Sequence, residues 1–258
     1  MREVLVLCYH GVSETWPAKT AVTPARLEEQ LATLVRLGYR GATFLHALTA
    51  PTAARTLVVT FDDALRSVLE CAFPILSRLG LPATVFVPTA YADEGKAASW
   101  PGYDRWMGTE HEHELASISW HELRHLAEAE WEIASHTRSH PRLTQIDDRG
   151  LEAELTGSRA DCEARLGRRC DSLAYPYSDY DHRVVRATRD AGYVLAATVP
   201  LEPREPLPLQ WPRVGVYRGE STPRILLRAG TRRVRPSRAL GTVFRLRQMG
   251  RQLGSLRR

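Results

Sequence analysis

The sequence predicts an α/β fold in which parallel strands are joined by crossover helices. Three observations carry that expectation. Apolar runs of strand length recur at 4–9, 56–61, 83–87, 131–135, 172–175 and 194–198. Helical stripes lie between them, as at Leu27, Leu31, Leu34 and Val35. With 258 residues, 43% of them apolar, and no low-complexity block, the chain is long enough for a large domain of this kind. Strand, helix and strand at this spacing argue for crossover units, which either a barrel or a doubly wound sheet satisfies.

Taken in order, residues 4–9 read as a buried strand ending at His10-Gly11. Thr23-Pro24 supplies an N-cap and a first-turn proline for a helix that stops at Gly38. A short strand is expected near 41–45, and another at 56–61. Residues 64–79 are helical in composition, with Pro74 expected to kink them and Gly80-Leu81-Pro82 to end them. Residues 88–118 are the least regular stretch, carrying Tyr91, Trp100, Tyr103 and Trp106, and a connection of that length suits a lid or a binding wall. A capped helix is expected over 119–130, a strand over 131–135 running straight into His136, and helices over 147–166 and 181–191. Five prolines make 200–212 an extended connection, and 213–217 reads as a last strand. From Thr222 the tail has the pattern of two helices around Pro236.

Charge divides the chain. Residues 1–218 hold 24 Lys+Arg against 29 Asp+Glu, whereas residues 219–258 hold 11 Arg against Glu220 alone. A mildly acidic body, 1–218, is therefore followed by an Arg-rich extension, 219–258. The apolar run at the N-terminus is too short for a signal peptide, contains Glu3 and is followed by no small-residue cleavage site. No run reaches the length of a membrane span. The expected location is the cytoplasm. Cys8, Cys71, Cys162 and Cys170 form no CxxC pair, and Cys8, within an apolar run, reads as a buried thiol.

The chemistry concentrates at strand ends. His136 and His140, four residues apart, can point at one ion from a helical turn or a tight loop. Zn²⁺ with an open position takes three protein ligands, and Asp62-Asp63 follows another strand. Asp63, His136 and His140 thus make a candidate metal set, with Asp62 a candidate general base. The alternative for the two aspartates is a helix N-cap and a first-turn acid. His10 ends the first strand at the same rim and is a candidate general acid. Tyr177, behind the rigid Pro176, can present its backbone N–H to a developing oxyanion. Glu110-His111-Glu112-His113-Glu114 reads as a solvated loop, and His121 and His125 as surface or packing residues.

These pieces resemble the polysaccharide deacetylase family, the NodB-homology or carbohydrate esterase family 4 group. The matching segments are Leu7-Cys8-Tyr9-His10-Gly11-Val12, Thr60-Phe61-Asp62-Asp63, Ala83-Thr84-Val85-Phe86-Val87, His136-Thr137-Arg138-Ser139-His140-Pro141 and Ala174-Tyr175-Pro176-Tyr177. The resemblance implies a distorted (β/α) barrel and metal-dependent removal of an N-acetyl group from an amino sugar. The metal would be divalent, with Zn²⁺ first among the first-row transition metals. The resemblance carries the base onto Asp62, the ligands onto Asp63, His136 and His140, and the oxyanion amide onto Tyr177. Trp120 resembles the aromatic found near the substrate pocket of relatives. Two departures stand out. Ala174 occupies the position where many members have an arginine that orients the base, and no histidine follows His182 to supply the usual late acid. The branch of poly-N-acetylglucosamine deacetylases takes that acid from the early Tyr-His segment, which His10 matches.

Two other functions are compatible with the motifs: the same chemistry on a non-sugar amide, or glycan binding by a site whose base is not oriented. The tail lies outside the resemblance. Its arginines and its stripe of Leu240, Val243, Phe244, Leu246, Met249 and Leu253 suit either packing on the barrel or contact with an anionic membrane at the inner face. The acidic body and the lack of a nucleic-acid motif argue against a nucleic-acid partner.

Overall fold

The structure, a computed structural model, describes residues 3–50, 53–93, 96–202 and 204–230. The chain opens on β1 (Glu3–Tyr9), the short β2 (Gly11–Val12) and β3 (Ala21–Val22), and α1 (Pro24–Arg36). β4 (Arg40–Gly41), α2 (Phe44–Thr49), β5 (Arg55–Phe61) and α3 (Phe73–Arg78) follow, then β6 (Ala83–Val87). After a long excursion come α4 (Trp120–Glu128), β7 (Glu132–Ser135), α5 (Asp148–Leu166), β8 (Ser172–Ala174), α6 (His182–Asp190) and β9 (Leu195–Thr198). The described chain ends with β10 (Trp211–Pro212), β11 (Val214–Gly215) and α7 (Thr222–Gly230).

Nine strands form one sheet in the order β10-β9-β8-β7-β6-β5-β1-β11, with β4 added on β5. Every pairing is parallel, from Glu3↔Arg55 at one end of β1 to Cys8↔Gly215 at the other. The two ends of this path, β10 and β11, are separated in sequence by Arg213 alone. The sheet therefore curls into a nearly closed barrel, and the seam is spanned by one residue. This is the distorted (β/α) barrel expected from the sequence, and it gathers all strand C-termini at one rim.

Helices cover the outside because their apolar residues share a face. α1 buries Leu27, Leu31 and Leu34 beneath a Thr23 cap that accepts from Arg26 N–H. α4 opens on a reciprocal capping box between Ser119 and Glu122. Phe61, at the end of β5, stacks on Trp131 at 6.0 Å in the main core. α7 packs Ile225 and Ala229 into that same core. The remainder of the tail, including the apolar stripe at 240–253, lies outside the described residues.

Three expectations are revised, and the interruption expected at Pro74 is found. The strand expected near 41–45 is only β4, and α2 starts at Phe44. Its first N–H groups find tertiary acceptors, Phe44 N–H at Thr84 Oγ1 (2.9 Å) and Leu45 N–H at Glu132 Oε2 (2.8 Å), while Phe44, Ala47 and Leu48 bury one face. Gly41 permits this turn, since a Cβ there would meet Pro82 Cδ at 2.8 Å. Pro74 lacks an N–H to continue a regular helix, and a π turn over Val68–Ala72 precedes it. Within the proline-rich connection lies β10, so the expected last strand, 213–217, is split around Arg213. Trp120 is a buried core residue at the first turn of α4 and does not line the cleft described below. The four cysteines are free thiols.

Candidate active site

Three loops leave the rim of the barrel into one cleft of about 690 Å³. They follow β5, β7 and β8, and they carry Asp62-Asp63, His136–His140 and Tyr177-Ser178. Each is tightly turned. Of the seven non-glycine residues with positive φ among the described residues, six are Asp63, Ala64, Thr137, His140, Tyr177 and Ser178. Left-handed backbone at non-glycine positions costs energy and persists where the surroundings impose it. The histidine loop is held that way from both sides. Thr137 N–H donates to Ser135 Oγ and His140 N–H to Thr137 Oγ1, both at 3.1 Å. On the outer side, Glu154 of α5 accepts from Arg138 N–H (2.8 Å) and Ser139 N–H (2.9 Å). The pair thus converges from a loop rather than from a helix.

Asp63, His136 and His140 come together as expected, each at most 5% exposed, with ligand atoms within 4.8 Å of one another. His136 Nε2 lies 3.5 Å and His140 Nε2 3.3 Å from Asp63 Oδ1. The Ala174 carbonyl can only accept, so His136 Nδ1 carries the proton of their 2.8 Å bond and Nε2 is left with its lone pair. Burial, opposed by the charge of Asp62, lowers the pKa of His136 to about 4, which makes it a neutral imidazole at neutral pH. Asp63 is held down to about 2: burial pushes it up, and the His140 imidazole, with His10 and His136 beyond, more than offsets that. Asp63 Oδ1 is buried and has no hydrogen-bond partner, although two imidazole nitrogens face it. A buried acceptor without a partner is costly, and a cation between these three atoms removes the deficit. The donor set suits a divalent transition metal.

The other oxygen of Asp63 is already used. Tyr103 donates its phenol to Asp63 Oδ2 at 2.7 Å, and burial, reinforced by the Asp63 charge, raises the phenol's pKa so that it stays protonated. The Tyr103 bond thereby fixes the carboxylate with Oδ1 toward the two imidazoles. Tyr103 belongs to the irregular stretch expected as a lid or wall, and it is a packed wall. Trp16, Leu65, Trp100, Tyr103 and Leu115 form a small core of their own on the rim. Trp100 stacks on His140 with ring centroids 4.3 Å apart, so this wall braces the histidine loop as well. Glu110–Glu114 supplies no metal-capable cluster among the described residues, and Glu114 instead accepts from Ser13 and Thr15.

Asp62 is 4% exposed, and the sequence left its orienting partner unassigned. Arg213, 1% exposed, grips it with two hydrogen bonds, Nη1 to Oδ1 and Nη2 to Oδ2, both 2.7 Å, and Nη1 also reaches Thr60 Oγ1 at 2.9 Å. Burial pushes the Asp62 carboxyl up, and the Arg213 guanidinium overrides it, leaving the pKa well below the carboxylate range. Cys8, kept a thiol chiefly by burial, donates to Asp62 Oδ2 at 3.3 Å. Cys8, His10 and Asp62 form a second metal-capable grouping. Arg213 already neutralises its one carboxylate, so the Asp63 set is the better cation site. His10 is half-buried at the same cleft, with Nδ1 lacking a partner, and Tyr177 lines the cleft with its ring 4.7 Å from that of His140.

All six site residues expected from the sequence therefore line one cleft. The residues missed are Arg213, Tyr103 and Trp100. An arginine flanked by Trp211, Pro212, Val214 and Val216 was a legible signal, because a charge in an apolar strand needs a buried partner. Nothing in the sequence marked Tyr103 apart from the other aromatics of its stretch.

A family model described as Polysaccharide deacetylase matches residues 49–196, more than half of the chain. The chain belongs to the polysaccharide deacetylase family. A Bacillus subtilis (strain 168) protein named as a polysaccharide deacetylase, YxkH, is 22% identical over 198 residues, which cover 75% of this chain and 63% of that protein. The chain thus spans under two thirds of that relative's length. Among solved structures, BC0361, a polysaccharide deacetylase from Bacillus cereus, superposes with a TM-score of 0.73 at 23% identity, covering 88% of this chain and 69% of the other. Streptococcus pyogenes deacetylase PplD, in complex with acetate, gives 0.71 at 21% identity, covering 87% and 97%. The family segment 49–196 contains Asp62, Asp63, His136, His140 and Tyr177 but neither His10 nor Arg213.

Two predictions follow from this geometry. Because Asp62 titrates below its ordinary 3.8, the Arg213 pair contributes fully above that pH and is lost as pH falls through the folded value. Arg213→Gln should cost about 3–5 kcal/mol at pH 7 by leaving Asp62 without its counter-charge. Urea unfolding at pH 7 and pH 3 should show the gap to wild type narrowing in acid, and a constant gap would contradict the pairing. Tyr103→Phe should weaken divalent-metal affinity about tenfold in chelator competition. An unaltered affinity would mean that the phenol does not act on Asp63.

Proposed function

We propose that this protein is a metal-dependent N-deacetylase that hydrolyses the acetamide of an N-acetylated amino sugar, in a glycan, a lipid-linked glycan or a small glycoconjugate. The observation that carries the reading is the partnerless Asp63 Oδ1 facing two imidazole nitrogens, beside an Asp62 clamped by Arg213. Asp63, His136 and His140 would hold the metal, for which Zn²⁺ is the first choice on donor type. A divalent ion there supplies Lewis acidity toward water and the amide carbonyl.

The protein's own groups account for the proton movements. Asp62, ionised at any physiological pH, accepts a proton from the attacking water as that oxygen bonds to the acetamide carbon. Oδ1 keeps a lone pair free beyond its Arg213 bond, whereas Oδ2 accepts from both Arg213 and Cys8. The backbone N–H of Tyr177 stabilises charge on the carbonyl oxygen. His10 donates a proton to the nitrogen as the C–N bond breaks, so that acetate and a free amine leave. Supplying the acid from His10 is the arrangement of the poly-N-acetylglucosamine deacetylase branch, and the branch assignment is proposed on that residue. Acetate, the ligand of PplD, is also the product expected here.

The Arg213 clamp weakens the case for a glycan-binding domain with an unoriented base. Trp100, Tyr103, Trp106 and Tyr177 line the cleft and suit the apolar faces of a sugar ring better than a small aliphatic amide. Asp62→Asn should cut acetate release from N-acetylated sugars by roughly 10²–10⁴-fold while metal content, read by elemental analysis, stays at wild-type level. Undiminished release would remove Asp62 from its role, and release only from non-sugar amides would redirect the substrate assignment.

Residues 219–258 are proposed as a peripheral contact with anionic membrane at the cytoplasmic face. The support is their charge pattern. No helix among the described residues is long and apolar enough to cross a membrane. Because α7 belongs to the core, the informative comparison is full-length protein against protein ending at Gly230, sedimented with vesicles rich in anionic lipid. The shorter protein should stay in solution, and equal sedimentation would sink the membrane role.

A further inference from the structure

The electrostatics of the cleft single out a property of the substrate. Asp62 and Asp63 are the only carboxylates on its walls among the described residues. Arg213 neutralises the first, and a divalent cation would overcompensate the second. Three further cations line the same walls: Lys19, Arg105 and Arg142. They come from three separate loops, after β2, in the aromatic wall and after His140. Each lies over an aromatic face, Lys19 over Tyr217 at 5.1 Å, Arg105 over Trp106 at 5.0 Å and Arg142 over Tyr177 at 4.3 Å.

None of the three forms an ion pair with a described residue. Arginines around them do: Arg138 pairs with Asp161 and Arg183 with Asp148. An exposed cation usually needs no explanation, but these line one cleft of a body that carries 29 acidic against 24 basic residues. A cleft lined by one sign of charge focuses its field and draws in ligands of the opposite sign. The aromatic faces pre-position the cations and lower the cost of holding them still.

Resting on the deacetylase reading above, we propose that the substrate is an acetamido sugar carrying a phosphate ester or diphosphate, bound by Lys19, Arg105 and Arg142 while the acetamide reaches the metal centre. A single carboxylate would use one such cation. A phosphate brings a charge of about −2 and three strong acceptor oxygens, more than one cation satisfies, and all three cations line the one cleft. The donor of that group, a nucleotide or a polyprenol, is distinguished by the substrates used.

The test uses full-length, metal-loaded protein. N-acetylglucosamine, its 1-phosphate, a nucleotide diphosphate sugar, a short-chain polyprenyl diphosphate sugar and an N-acetylated uronic acid are compared for binding by calorimetry and for acetate release. At least one phosphorylated sugar should bind roughly tenfold or more tightly than the neutral sugar, and the advantage should shrink as salt is raised from 50 to 300 mM. Arg142→Gln, Lys19→Gln and Arg105→Gln should each lower the ratio of phosphorylated to neutral binding several-fold.

A phosphate advantage that none of the three variants alters would assign the phosphate to the metal instead and overturn the proposal. Equal binding of neutral and charged sugars, or preference for the uronic acid, would overturn it too. Rim-dependent binding without acetate release from any sugar would leave the phosphate subsite standing and remove the deacetylase reading. Salt-independent release from neutral sugar alone would do the reverse.

Discussion

A buried guanidinium–carboxylate pair governs this molecule. Burying either charge alone would cost several kcal/mol, so Arg213 and Asp62 require one another. Their two parallel bonds are also directional, and they fix the carboxylate plane as well as its charge. Thr60 and Cys8 complete the enclosure from adjoining parallel strands. Because Arg213 bridges β10 and β11, the same residue joins the seam of the barrel and orients the proposed base. Fold closure and site assembly are a single event in this chain.

The metal set depends on a second enclosure built from different parts. Backbone bends place Asp63, His136 and His140, the Ala174 carbonyl chooses the tautomer of His136, and an aromatic wall finishes the arrangement. Tyr103 and Trp100 contact the carboxylate and the imidazole from the same side. A wall with a core of its own can be rigid without belonging to the barrel, and rigid support is what a ligand set needs to keep its spacing. The irregularity of residues 88–118 thus reflects a scaffold that follows the shape of the site rather than a repeat.

Much of this was legible in the sequence, for identifiable reasons. Strand ends and tight loops carry short-range signals, so Asp62-Asp63 and His136–His140 stood out, and parallel topology brought them together. Ala174 showed that the usual orienting arginine was missing. Its replacement sits between two two-residue strands after a proline-rich stretch, where periodicity is too short to read, and pairs with a residue 151 positions away. Tyr103 was hidden for another reason: an aromatic in an irregular stretch has the same local appearance whether it packs or donates to a ligand. Strand and helix at 41–49 were confused because Thr84 and Glu132, distant in sequence, supply the caps of α2.

The position of Arg213 also sets an order in time. During synthesis Asp62, Asp63, His136 and His140 emerge well before Arg213. Without Arg213, an Asp62 buried in this barrel would lack its counter-ion, and protonation would be its cheapest state. A chain that ends before Arg213 therefore lacks the counter-charge that holds the Asp62 carboxylate. Closing the seam of the barrel is thus also the step that sets the charge of the proposed base.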